Sequence, residues 1–186
     1  MNRESWLTDL VDALRPYFTD KGFSIPEKIR VSCSWPSRTV RKTLGQCWTT
    51  QSAADGVQQI CVSPLLVDPP TIAAVLVHEL LHACLPPEAG HKAPFKQGMK
   101  LLGLEGKATA THAGPLLTLH LLDLLKTLPP YPHAALSLKD AQKKQTTRML
   151  KLECVNCGYV VRTTAKWINL GLPTCCCSWI FEIPLD

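Results

Sequence analysis

The stretch Thr71-Ile72-Ala73-Ala74-Val75-Leu76-Val77-His78-Glu79-Leu80-Leu81-His82-Ala83-Cys84-Leu85 is apolar on almost every face of a helix, yet it carries two imidazoles and a carboxylate in its middle. A helix that is apolar all round belongs in a protein interior. Burying three such polar groups without partners costs on the order of several kcal/mol. A metal ion removes that cost. His78 and His82 are four residues apart, so they stack one turn apart on one face and can share one ion. Glu79 flanks that face, where a carboxylate can accept a proton from water. A zinc centre that does hydrolytic chemistry needs three protein ligands, an open position and a neighbouring base. The pattern supplies His78 and His82 as ligands and Glu79 as the base.

The third ligand has to come from elsewhere. His91 is the favoured residue, because Gly90 lets the chain turn tightly just before it. Its spacing differs from that of the metzincin motif, which excludes that family. His112, His120 and Glu88 are the rivals. His120 lies among leucines and reads as a core histidine, or one that backs a ligand. His112 falls in an expected loop, Thr111-His112-Ala113-Gly114. His133 sits in a proline-rich segment and is expected to be solvated.

The flanking sequence predicts an α+β fold: a helical domain with a small antiparallel sheet, followed by a small cysteine module. Trp6, Leu7, Leu10, Val11, Leu14 and Phe18 recur at helical spacing and predict a first helix ending near Asp20. Ile29-Arg30-Val31-Ser32-Cys33, Gly45-Gln46-Cys47-Trp48-Thr49 and Gln59-Ile60-Cys61-Val62-Ser63 read as three strands. Asp68 is placed to cap the metal-bearing helix, and Pro86-Pro87 stop it. Further helices are expected over 93–102 and 115–128. The sequence reading divides the chain into a domain at 1–128, a linker at 129–148 that begins with Pro129-Pro130-Tyr131-Pro132, and a module at 149–186.

Nine cysteines are present, five of them in the last 33 residues. The start of the chain shows no charged-then-apolar leader pattern and no stretch is long enough to span a bilayer, so a reducing, cytoplasmic setting and no membrane partner are expected. There, cysteine clusters ligate metal more often than they form disulfides. Cys154-Val155-Asn156-Cys157 pairs with Cys175-Cys176-Cys177 across about 17 residues, as in a four-cysteine structural zinc site. Three cysteines compete for the last two places. Cys33, Cys47, Cys61 and Cys84 are expected to be small buried side chains. Net charge is +5, and residues 134–166 carry seven basic side chains against Asp140 and Glu153, which accounts for the whole excess. A basic stretch with Tyr159 and Trp167 nearby suits a nucleic-acid partner such as DNA. Trp167 itself is expected to pack in the small module's core.

In order and spacing, Gly45-Gln46-Cys47-Trp48, Ile60-Cys61-Val62-Ser63-Pro64, the His78-to-His82 motif and Gly90-His91-Lys92-Ala93-Pro94-Phe95 resemble the SprT-like family, which includes Spartan-type proteases that degrade proteins crosslinked to DNA. The resemblance implies a zincin-like metallopeptidase domain followed by a zinc ribbon. It implies a catalytic zinc on His78, His82 and His91 with Glu79 as general base, and a structural zinc on Cys154, Cys157, Cys175 and Cys177, with Cys176 turned away. A protein or peptide would be the substrate, with DNA engaged through the basic C-terminal region. The family often has glycine after the third histidine; here Lys92 stands there. That departure keeps a second expectation in view, a nucleic-acid-binding or regulatory zinc protein with little proteolysis. A third is a zinc hydrolase acting on a small amide or peptide.

Overall fold

The computed structural model describes residues 1–36, 43–137 and 149–183. The chain forms two compact units, Met1–Leu138 and Lys139–Asp186. No described helix is long and apolar enough to cross a membrane.

The first unit begins with α1 (Arg3–Asp20), whose apolar stripe is buried from Trp6 to Phe18. Asn2 caps it, accepting from the Ser5 N–H while the Ser5 hydroxyl oxygen accepts from the Asn2 N–H. Arg15 then donates to the carbonyls of Ile25 and Pro26, tying the exit loop back onto α1.

Three strands follow, β1 (Ile29–Cys33), β2 (Gly45–Trp48) and β3 (Gln58–Val62), in the spatial order β1-β3-β2. The sheet is mixed, which corrects the expected antiparallel one. β2 and β3 pair antiparallel, with Cys47 opposite Ile60, but β1 runs parallel to β3, with Val31 opposite Ile60. A short alternating strand presents the same two faces whichever way it runs, so its residue pattern carries no direction. β3 takes the centre because it is apolar on its inner face, where Ile60 and Val62 are fully buried.

The inner face of the sheet packs on α2 (Pro69–Cys84). Asp68 caps this helix through the Thr71 N–H at 3.0 Å. Ile72, Ala73, Leu76, Val77, Leu80 and Leu81 are all fully buried, so α2 is enclosed as its composition requires. α3 (Ala93–Leu101) and α4 (Pro115–Leu125) cover other sides of it. Between them lies a hairpin absent from the sequence reading, β4 (Leu104–Lys107) paired with β5 (Ala110–Ala113). His112 therefore stands on a strand, opposite Glu105, and not in a loop.

Residues 129–137, expected within a linker, lie along this unit. The Trp6 indole donates to the Pro129 carbonyl at 2.7 Å, and the Tyr131 ring packs on Trp6. His133 is half-buried, its Nε2 bonded to the Pro64 carbonyl at 2.8 Å and its Nδ1 accepting from Arg3. The expectation of a solvated His133 is thus corrected: a proline-rich segment has few donors of its own, and this imidazole anchors it.

The second unit holds β6 (Leu150–Cys154), β7 (Val160–Thr163), α5 (Ala165–Ile168) and β8 (Phe181–Glu182), with β6 central. Among the described residues its core is Leu152, Cys154, Cys175 and Phe181, with Val161, Ile168 and Cys177 against it. Trp167 is 57% exposed. Its expected place in that core is taken by Ile168, the next residue round the one-turn helix.

Candidate metal centre

His78 and His82 project from the open face of α2, and His91 reaches them from the loop before α3. Gly90, with φ of 44°, provides the turn. His91 Nε2 lies 3.1 Å from His82 Nε2 and 3.4 Å from His78 Nε2. Zinc–nitrogen bonds of about 2.0–2.1 Å at tetrahedral angles place ligand nitrogens about 3.3 Å apart. The three imidazoles therefore fit one ion in both chemistry and spacing, and they form a group able to hold a metal.

The ring environment favours neutral ligands. Burial, and then the neighbouring imidazoles, push the His78 pKa down to about 3. Burial and His91 take His82 down to about 4. Burial also lowers His91. Phe95, fully buried at the start of α3, packs against all three rings at 4.8, 4.3 and 5.0 Å from His78, His82 and His91. The other nitrogen of His78, Nδ1, lies 2.8 Å from Thr111 Oγ1 on β5.

Glu79 is 6% exposed. Burial raises its carboxyl to about 8, opposed by a hydrogen bond from the Cys47 backbone N–H. β2 crosses this carboxylate so closely that a Cβ at Gly45 would stand 2.6 Å from Glu79 Oε1. A dication beside the carboxylate acts in the opposite direction to burial and favours its charged form. His78, Glu79, His82 and His91 form one side of a half-open cleft of about 650 Å³, with β2 and the β5 strand as its other walls.

The rival ligands are elsewhere. Glu88 is exposed and outside the cleft lining. His120 stacks on Tyr17 at 4.2 Å, its Nε2 buried with no hydrogen-bond partner among the described residues. His112 lines the cleft, its Nε2 3.9 Å from Glu105, but stands outside the three-histidine group. The sequence reading gives Thr111 and Gly45 no role at this centre. Only their contacts with His78 and Glu79 reveal them, since threonine in a strand and glycine near a turn are unremarkable by themselves.

In the second unit, Cys154, Cys157, Cys175 and Cys177 converge. Sulfur separations are 3.4 Å for Cys154–Cys177, 3.5 Å for Cys157–Cys175 and 3.6 Å for Cys157–Cys177. These are far beyond a disulfide bond of about 2.05 Å, and a little inside the edge of about 3.8 Å that zinc–sulfur bonds of about 2.3 Å imply. Two similar turns hold the thiols. In one, Gly158 adopts φ of 71°, its N–H reaches the Cys154 carbonyl, and the Cys154 N–H bonds the Tyr159 carbonyl. In the other, Ser178 adopts φ of 66°, its N–H reaches the Cys175 carbonyl, and the Cys175 N–H bonds the Trp179 carbonyl. The second turn is one residue shorter, so its ligands are separated by one residue and exposed Cys176 is left outside the group. The Cys177 thiol is drawn down to about 6 by the Trp179 backbone N–H and then by the Asn156 side chain.

Cys33, Cys47, Cys61 and Cys84 are half-buried, less enclosed than expected. Of the basic stretch, Lys139, Lys143, Lys144 and Arg148 lie outside the described residues. Lys151 pairs with Glu153 at 2.6 Å, and Lys166 lies over the Trp167 ring at 5.0 Å. Tyr159 and Trp179 are also exposed, at 57% and 54%.

Comparison with family models, curated proteins and solved structures gives no match to this chain.

Proposed function

We propose that this chain is a zinc-dependent peptidase of SprT-like type, with a zincin-like domain, a structural zinc ribbon and DNA-associated protein as its substrate. The observation that carries the reading is the convergence of His78, His82 and His91 at 3.1–3.4 Å beside a buried, strand-held Glu79 in a half-open cleft. Zinc bound there would polarise the scissile carbonyl and make water acidic enough to lose a proton near neutral pH. Glu79 takes that proton on its carboxylate and returns it to the departing amine. The Cys47 N–H keeps the carboxylate aimed during both transfers. The cleft volume, walled by strands on two sides, suits several residues of an extended peptide better than an enclosed small amide.

Two zinc ions per chain are proposed, one on the histidines and one on Cys154, Cys157, Cys175 and Cys177. The four buried core residues among those described are too few to hold the module together by burial, so the metal provides its folding energy. Incubating the zinc-loaded chain with DNA and an unfolded or DNA-crosslinked protein, beside the Glu79→Gln variant, tests the reading. Cleavage by the wild type and at least 100-fold slower cleavage by the variant are expected; equal rates refute it.

One observation favours a second reading, a DNA-binding zinc protein with little turnover. The second unit exposes Tyr159, Trp167 and Trp179 and places Lys166 over Trp167, a mix suited to base stacking and phosphate contact. DNA affinity that falls with salt and survives Glu79→Gln, with no cleavage of any protein, selects this reading.

A further inference from the structure

We infer that Thr111 is a positioning residue of the metal centre, holding His78 in the tautomer and orientation that bind the ion. The inference rests on the metal-site part of the proposed function and is independent of peptide hydrolysis.

A neutral imidazole carries one proton, and which nitrogen carries it decides which one can ligate. His78 Nε2 faces His91 Nε2 at 3.4 Å, within the three-histidine group. Nε2 is therefore the ligating nitrogen, and Nδ1 must carry the proton. Thr111 Oγ1 lies 2.8 Å from Nδ1, at ordinary hydrogen-bond length, so the threonine oxygen accepts from Nδ1–H and leaves the Nε2 lone pair for the metal.

The surroundings make this contact a defined one. Phe95 lies against the His78 ring at 4.8 Å, leaving Nδ1 to find its partner on β5. Thr111 stands in a strand whose register is set by pairing with Gly106, and Gly114 beyond it is fastened through its N–H to the Gly103 carbonyl at 2.8 Å. A β-branched side chain in a strand has few χ1 choices, so the oxygen is held where the ring needs it. Through Thr111, 33 residues from His78, the hairpin thus becomes part of the metal site. A hydroxyl is a weaker acceptor than the carboxylate that often supports a ligating histidine, so it orients the ring and adds little basicity.

Thr111→Val keeps the shape and the β-branch and removes the acceptor; Thr111→Ser keeps the oxygen and loosens its rotamer. Cobalt and zinc affinities of the full chain are measured by chelator competition. The histidine-site ion is told from the cysteine-site ion by the thiolate charge-transfer absorbance that only the latter gives. Loss of such a partner costs 10–100-fold in metal affinity. Thr111→Val is therefore expected to bind the histidine-site ion about 10–100-fold more weakly, with cysteine-site binding and the metal-free unfolding midpoint unchanged. Thr111→Ser should recover most of the affinity. The His78 Nδ1–H resonance in the zinc-loaded wild type, lost to solvent exchange in Thr111→Val, is a second readout. Wild-type affinity in Thr111→Val overturns the inference alone. Equal losses of affinity and metal-free stability without rescue by Ser also overturn it, since they indicate packing. A wild-type chain that takes up no ion at the histidines overturns the metal-site reading as well.

Discussion

Replacing Gly45 with alanine is the most direct probe of how the fold holds the Glu79 carboxylate, the proposed general base. The backbone at Gly45 is not in the left-handed region, so glycine is required there for space alone. The added methyl carbon would stand 2.6 Å from Glu79 Oε1, 2.7 Å from Val75 Cγ1 and 2.8 Å from Glu79 Cγ, where ordinary contact begins at 3.4 Å. The difference, 3.4 minus 2.6, requires a movement of about 0.8 Å, by the strand or by the carboxylate. Overpacking of this kind costs about 1–3 kcal/mol. Moving Glu79 off the Cys47 N–H adds part of the 1.5–3 kcal/mol that a hydrogen bond to a charged group is worth. β2 is an edge strand and can yield, so a net loss of about 2 kcal/mol is expected. For turnover, a misplacement near 1 Å costs about 100-fold. Urea unfolding and cleavage of an unfolded protein by zinc-loaded Gly45→Ala measure the two effects. Adding Val75→Ala relieves one collision and should restore stability more than turnover. A variant with wild-type stability and rate would show that β2 does not constrain Glu79, and the reasoning would fail.

Other outcomes follow from the same geometry. In the metal-free chain Glu79 is raised from 4.5 to about 8, so the folded state binds the extra proton and stability from this group falls as pH rises between those values. His78 and His82 are lowered from 6.5 to about 3 and 4, so their contribution falls as pH drops through that window. Above pH 6.5 Glu79 dominates the first unit, while the Cys177 thiol, lowered from 9.0 to about 6, acts in the second unit and in the opposite direction. Denaturant midpoints of the first unit in excess chelator should show a loss of about 2 kcal/mol from pH 6.5 to 8 that Glu79→Gln abolishes. A slope that persists in the variant assigns it to another group. Cys157→Ser should reduce metal content from two ions per chain to one and unfold the second unit alone, read by elemental analysis and limited proteolysis; two ions retained would exclude the four-cysteine site. Phe95→Ala, which empties the space behind three imidazoles, should cost about 3–5 kcal/mol and weaken histidine-site metal binding. Unchanged metal affinity in that variant would mean the rings are held without it.

What could be read from residues alone was what local periodicity encodes. The apolar surround of His78, Glu79 and His82, the Asp68 cap and the α1 stripe each depend on neighbours within a turn or two, and the structure forms α1 and α2 accordingly. The cysteine pairs were legible for the same reason, their spacing being short. The tertiary structure decided everything that joins distant segments. It set β1 parallel to β3, because alternation defines faces and not direction. It chose His91 over His112, His120 and Glu88, because which loop reaches α2 depends on how α3 and the hairpin pack. It exposed Trp167 and set half-buried Ile168 against the small core, a matter of which side of one helical turn meets the described core residues. It also brought Gly45 to Glu79 and Thr111 to His78 across 34 and 33 residues of chain. Sequence named the two histidines and the glutamate of the central helix; only packing supplied the side chains and backbone that aim them.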